Sequence, residues 1–388
     1  MPSRFLVTGA RSPTALDWIR RLGRAGHGVA AADSLRHPLC RGTRYLDRYF
    51  EVPSARTTPR DYAFAVRDAA HQCGAEWVIP TCEEIFYLAH YREIFAGTCQ
   101  LLADPFDVLA RLHHKGEFAA LTASGGPVGT CIHSPESHEF RSPGDLEDFA
   151  TAQGGSLTDW VLKPVYSRFA SDIHIRPQPA AWQKVEPTSA APWLAQRFAA
   201  GAPFCTYSLA IAGTITAHTT YIPKHQVDGG AGFYFEPVER PDLFQFCSDV
   251  VKHFRFTGQI CFDFISGENG TVVIECNPRA TSGLHLLDER DPLPFLHPSA
   301  GDAALWPMAP QPRMLGAAMW MKPGRLARWR DYRRAADVYQ APDDRLPLLA
   351  APRSMRELYH LARRLGLGTD LLAASTADLL WNGEPIPD

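Results

Sequence analysis

Cys261-Phe262-Asp263-Phe264 and Val273-Ile274-Glu275-Cys276-Asn277-Pro278-Arg279 are two strand-like runs either side of Gly267-Glu268-Asn269-Gly270, and their reading decides the fold. The Asn-Gly step suits a tight turn, so Gln259 to Ile265 and Thr271 to Cys276 are expected to form a hairpin. Alternate side chains of a strand share a face, which puts Glu275 and Asn277 together. Pairing across the hairpin can bring Asp263 alongside them. Two carboxylates and an amide oxygen on one sheet face are hard oxygen ligands suited to Mg2+, with waters and phosphates completing the shell. Arg279, one alternation further on, can set a guanidinium beside a phosphate or a substrate carboxylate. Any one of these residues is common on a solvated sheet face; the four together, flanked by apolar residues, make a functional cluster the better reading.

Outward from the hairpin, the chain begins with a buried strand, Arg4 to Thr8, then Gly9-Ala10-Arg11-Ser12-Pro13. Ala15, Leu16, Ile19 and Leu22 fall at helical spacing between Thr14 and Ala25, Gly26-His27-Gly28 stops that helix, and Val29 to Ala32 makes a second strand ending at Asp33. A strand–helix–strand start implies a parallel sheet with a right-handed crossover. Trp77 to Pro80 and Gln100 to Leu102 read as further strands of a doubly wound domain over residues 1–103. Asp104 to Ala123 looks helical. Trp160 to Lys163 and Ala195 to Ala199 are strand-like, and Cys205 to Ile211 and Thr214 to Tyr221 are strands joined at Ala212-Gly213. Met355 to Leu365 is a helical stretch, followed by an apolar segment from Leu371 to Trp381.

Asp263 with Glu275-x-Asn277-x-Arg279 resembles the metal-binding strands of the ATP-grasp superfamily, which includes carbamoyl-phosphate synthetase, biotin carboxylase and D-alanine–D-alanine ligase. The resemblance spans nearly the first 300 residues. It implies a mixed α/β and α+β chain: a Rossmann-like pre-ATP-grasp domain (1–103), the small grasp subdomain (104–190), the large subdomain with the metal site (191–300) and a C-terminal accessory region (301–388). It further implies ATP and Mg2+ as cofactors, with Mn2+ as a substitute. Asp263, Glu275 and Asn277 would hold the metal, and Arg279 would stabilise charge on the transferring phosphoryl group.

Other residues take roles from the same resemblance. Lys115, in His114-Lys115-Gly116, and Lys163, at the end of Trp160-Val161-Leu162-Lys163, match the two phosphate-binding lysines, and Lys163 is also expected to act in catalysis. The loop Val165-Tyr166-Ser167-Arg168-Phe169-Ala170-Ser171 departs from the usual glycine-rich clamp, leaving Ser167 and Arg168 as its phosphate contacts. Gln196, Arg197 and Phe198 match the adenine hinge, although Gly201 to Thr206 lacks the acid that commonly takes the ribose. Substrate candidates are Lys224, His225, Ser282, Gly283 and His285, together with Glu83 at the end of the Trp77 strand. The expected activity is ligation of a small-molecule carboxylate, activated as an acyl phosphate, to an amine or similar nucleophile.

Two other readings stand beside this one. A grasp fold that has lost turnover fits the glycine-free loop, though the four-residue cluster argues against it. A short-chain-type NAD(P) oxidoreductase is suggested by Thr8-Gly9, but Arg11 and Thr14 occupy the places of two fingerprint glycines and no Tyr-x-x-x-Lys pair occurs.

Composition agrees with a soluble enzyme. A net charge of -3 over 388 residues gives no footprint for nucleic acid or an anionic membrane. Nine scattered cysteines without CxxC pairs point to a reducing cytoplasm rather than a disulfide framework. No apolar stretch approaches the roughly 18 residues that span a bilayer. Residues 301–388 carry no chemistry of their own and are expected to form an added lid or a homodimer surface.

Overall fold

The computed structural model describes residues 2–167, 172–226, 230, 232–298, 305–321, 328–347 and 350–387. Strands β1 (Arg4–Thr8), β2 (Gly28–Asp33), β3 (Arg48–Glu51), β4 (Trp77–Ile79) and β5 (Gln100–Leu101) pair in parallel in the order β3-β2-β1-β4-β5. Phe5, Leu6 and Val7 are wholly buried, as expected of a parallel strand with both faces covered. The following helix, Pro13–Arg24, starts where the sequence says it should: the Ser12 hydroxyl accepts from Ala15 N, and Pro13 fills the first turn. Strand order reverses between β1 and β4, so a crevice opens at their carboxyl ends.

A second sheet contains β6 (Ser137–Phe140), β7 (Trp160–Pro164), β8 (His174–Ile175) and β9 (Trp193–Arg197) in the order β6-β9-β7-β8. Phe140, Leu146, Leu157, Trp160 and Leu162 form its own small core. The long helix expected over 104–123 is two helices, Phe106–His113 and Lys115–Leu121. His114 breaks it: its backbone is extended and its Nδ1 caps Glu117 N at 3.1 Å, which makes Lys115 the first residue of the second helix.

The third sheet holds the site. Its strands are β10 (Ala202–Ile211), β11 (Thr214–Gln226), β12 (Gly232–Pro237), β13 (Gly258–Gly267), β14 (Gly270–Asn277), β15 (Arg313–Met314) and β16 (Ala336–Asp337), in the order β14-β13-β10-β11-β12-β15-β16. Ala212 and Gly213 turn β10 into β11 with φ of 47° and 85°, the left-handed pair that a two-residue hairpin needs. β13 and β14 form the expected hairpin, with one irregularity. Gly267 faces Gly270 and Phe264 faces Val273, but Asp263 faces Glu275, so Ile274 is an extra, bulged residue.

The accessory region is woven back into the rest. β15 and β16 extend the large sheet, and the buried Arg20 donates to Asp344 at 2.7 Å. The helix Ala350–Arg364 follows, while the apolar stretch beyond it is helical only over Leu371–Ala374. Leu379 and Trp381 then join the same core as Ile85 and Phe86.

Candidate active site

The bulge at Ile274 builds the acidic cluster. It brings Glu275 directly opposite Asp263, and Asn277 opposite Cys261 one alternation on. Asn277 Nδ2 donates to Asp263 Oδ2 at 3.2 Å, and Arg279 Nη2 donates to Asn277 Oδ1 at 2.9 Å. The Cys205 thiol, opposite Asp263 on β10, also bonds its carboxyl. Burial and then the neighbouring Glu275 push the Asp263 carboxyl up to about 6. Two carboxylates held this close, with an amide and a thiol for company, form a hard-oxygen donor set that a divalent cation would relieve, and its chemistry fits Mg2+. Among the described residues no group of three His, Cys, Asp or Glu converges as a metal site, and the Asn277 amide turns its Nδ2 toward Asp263 and gives its oxygen to Arg279, so it would have to turn over to ligate a cation.

Both predicted lysines reach this cluster. Lys163 Nζ, buried at the end of β7, donates to Gln196 Oε1 at 2.9 Å and to Ile274 O at 3.1 Å. The second acceptor is the carbonyl of the bulged residue, so the hairpin irregularity serves the lysine as well as the carboxylates. Burial lowers its ammonium to about 8, against the opposing pull of Glu275. Lys115 Nζ donates to Val165 O at 3.3 Å and Ser167 O at 3.4 Å and stands 3.7 Å from Glu275 Oε2. Two ammonium groups therefore flank Glu275 from two different elements.

Comparison with protein-family models and with curated proteins gives no match. Solved structures do match. The N5-carboxyaminoimidazole synthetase of Staphylococcus aureus aligns with a TM-score of 0.61 at 10% identity, over 89% of this chain and 91% of that one. The biotin carboxylase domain of Hydrogenobacter thermophilus 2-oxoglutarate carboxylase, in complex with MgADP, ADP and bicarbonate, aligns at 0.58 and 14% identity over 79% and 72%. The L-amino acid ligase of Bacillus licheniformis aligns at 0.57 and 13% over 80% and 78%. The chain has the ATP-grasp fold. At these identities the likeness is one of fold, and it agrees with the order of sheets found here.

Within this ATP-grasp fold the remaining predicted residues separate. Gln196 is buried and spends its side-chain oxygen on Lys163, whereas Arg197 is exposed, 5.2 Å over the Trp160 ring. Phe198 lies just past β9, packed under Arg176. Ser167 offers its carbonyl to Lys115, and Arg168 lies outside the described residues. Lys224 and His225 are engaged by Asp331 at 2.9 and 2.8 Å. Ser282, Gly283 and His285 form a short 3-10 helix. Gly283 is there for space: a Cβ would stand 2.4 Å from that of Tyr207. His285 is buried with Nδ1 on Asp17 at 2.9 Å, an internal tie to the first helix. Glu83, expected to meet an amine, instead faces Arg279 at 3.3 Å, both buried. That ion pair joins the turn beyond β4 to the residues that follow β14.

The sequence reading missed three features. Arg11 sits in a buried cage, bidentate on Asp33 and bonded to Asp378 at 2.5 Å. Asp33, at the end of β2, is thereby taken up by an internal ion pair. Glu84 closes the turn after β4 by accepting from Thr8 Oγ1 and Thr81 N, and burial raises its carboxyl. Gly9 has φ of 68° in front of it, and a Cβ there would meet Thr81 Oγ1 at 2.8 Å. The third feature is Trp381, packed 5.3 Å from Tyr166 in the turn after Lys163.

Proposed function

We propose that this chain is an ATP- and Mg2+-dependent ligase that activates a small-molecule carboxylate as an acyl phosphate and passes the acyl group to an amine or related nucleophile, releasing ADP and phosphate. The observation that carries the reading is the convergence of Lys163 and Lys115 on the Asp263–Glu275–Asn277 cluster, with Arg279 bonded to Asn277. Asp263, Glu275 and Asn277 would hold Mg2+, which when bound neutralises phosphate charge and orients the polyphosphate. The lysines donate to phosphate oxygens, and Lys163, already held by two acceptors, would lose little freedom in doing so. Arg279 is held rigid by Asn277 and Glu83, so its guanidinium is preorganised for charge that builds up as the phosphoryl group moves.

The crevice beyond β1 and β4 supports a substrate pocket that opens onto Arg279 through Glu83. Among the neighbours named above, one is an L-amino acid ligase and one is a biotin carboxylase domain in complex with bicarbonate, which supports the carboxylate class without fixing the substrate. A soluble cytoplasmic enzyme is part of the same proposal; among the described residues no helix is long and apolar enough to cross a membrane. The test is a screen of carboxylates and amines for ADP release, followed by use of an 18O-labelled carboxylate. Label in the released phosphate is the expected result. Carboxylate-dependent ADP release without label transfer would overturn the acyl-phosphate route.

A further inference from the structure

We propose that Trp381 and Tyr166 are positioning residues for the nucleotide site: the segment Asp378–Glu384 clamps the turn after Lys163 and so sets where the Lys115 ammonium stands. The inference rests on the ATP-grasp reading of the site given above. Val165 and Ser167, on either side of Tyr166, supply both carbonyls that hold Lys115 Nζ. Both acceptors, at 3.3 and 3.4 Å, are backbone carbonyls of the turn, so a shift of the turn moves them both. The turn in turn is fixed by its ring. Tyr166 packs against His114 at 5.3 Å, His113 at 5.7 Å and Trp381 at 5.3 Å. Gly383 backs onto the same ring so tightly that a Cβ would lie 2.3 Å from Tyr166 Cε2.

Trp381 is itself seated 4.9 Å from Phe86 of the first domain and 5.2 Å from Phe106 in the helix that follows it, with Nε1 donating to Glu384 O at 2.8 Å. The flanking backbone is pinned at several points. Asp378 takes Arg11 and Ser34 on its carboxylate, and its carbonyl accepts from Arg56 N at 3.0 Å. Tyr87 Oη donates to Leu380 O at 2.9 Å, and Arg56 pairs with Glu384 at 2.7 Å. A segment remote in sequence is therefore rigid on the first domain, touches the turn with one large ring, and through that turn reaches a lysine beside a metal carboxylate. A large side chain with this many anchors is suited to setting the position of the ring it packs against as well as filling a core.

The test is a double-mutant cycle between Trp381→Ala and Lys115→Met, read as the MgATP dissociation constant by calorimetry, with the melting temperature of each nucleotide-free protein recorded in parallel. Trp329→Ala, at an exposed tryptophan, is the control. Trp381→Ala is expected to weaken MgATP by about tenfold, the size of one charge-assisted hydrogen bond, with Trp381→Phe restoring most of the affinity. In the Lys115→Met background the same change is expected to have almost no further effect, because both act through one ammonium group. Equal losses in both backgrounds, or an unchanged dissociation constant in folded Trp381→Ala, would overturn the proposal. Should Trp381→Ala fail to fold, Tyr166→Leu carries the same cycle with the same two outcomes. Wild-type protein that binds no MgATP would instead overturn the functional reading beneath it.

Discussion

Lys163→Met separates stability from nucleotide binding in a way that follows from the burial of the ammonium. The side chain is almost completely buried, and its ammonium is lowered from 10.5 to about 8. Keeping that charge in the folded protein therefore costs about 3 kcal/mol relative to the unfolded chain. Methionine fills nearly the same volume and removes the charge, but it leaves Gln196 Oε1 and Ile274 O without their donor, at about 1–3 kcal/mol for each acceptor that finds no other partner. The two effects nearly offset, so the nucleotide-free melting temperature should stay within about 6 °C of wild type. Nucleotide binding should not survive so well. Losing a charged phosphate contact worth about 1.5–3 kcal/mol weakens MgATP by about 10- to 100-fold. At a concentration of about 100 times the wild-type dissociation constant, stabilisation by nucleotide should fall from about 2.7 kcal/mol to about 1.4 or less. Differential scanning fluorimetry with and without MgATP measures both quantities on one plate. A variant with the wild-type nucleotide shift would refute the reasoning, as would one that melts about 15 °C lower on its own, which would make Lys163 a structural residue.

Other outcomes follow from the same geometry. Asp263→Asn relieves the crowding with Glu275 and should raise the nucleotide-free melting temperature while abolishing the effect of Mg2+ on ATP binding; both are read by thermal shift. In metal-free protein the raised Asp263 carboxyl stabilises the fold fully below its unfolded value of 3.8, and that contribution disappears as pH rises through about 6. Mg2+ needs the ionised form, so its apparent affinity should fall about tenfold per pH unit below about 6, measurable by titration at several pH values. Above about pH 8 Lys163 begins to lose its proton, and ATP affinity should decline there. Glu83→Gln leaves the buried Arg279 without its 3.3 Å counter-charge and should destabilise the protein by about 3–5 kcal/mol in urea unfolding, whereas Glu83→Asp should be milder.

Much of this was legible because local signals and global fold agree. Arg4 to Thr8, the Ala212-Gly213 turn and the Asn-Gly hairpin each carry a mechanism within a few residues, and each appears where expected. The acidic cluster was legible in composition but not in register. A hairpin closed by Gly267 and Gly270 would place Ile274, not Glu275, opposite Asp263, leaving the two carboxylates on opposite faces. The bulge at Ile274 corrects this, and nothing in the residue itself announces a bulge. His114 was likewise read as part of one helix, because a capping imidazole is recognised only once its Nδ1 is seen on Glu117 N. Contacts such as Arg11 with Asp378, or Tyr166 with Trp381, join residues hundreds of positions apart and leave no periodic trace. The same holds for Lys224, His225 and His285, whose partners Asp331 and Asp17 are set by how the accessory region and the first helix fold back.

The most direct test of the central claim is calorimetric titration of wild type and Glu275→Gln with ATP, with and without Mg2+. Saturable ATP binding that strengthens with Mg2+ in wild type and loses that dependence in Glu275→Gln is the predicted result. Binding that ignores Mg2+ in wild type, or keeps its full Mg2+ dependence in the variant, would contradict the account.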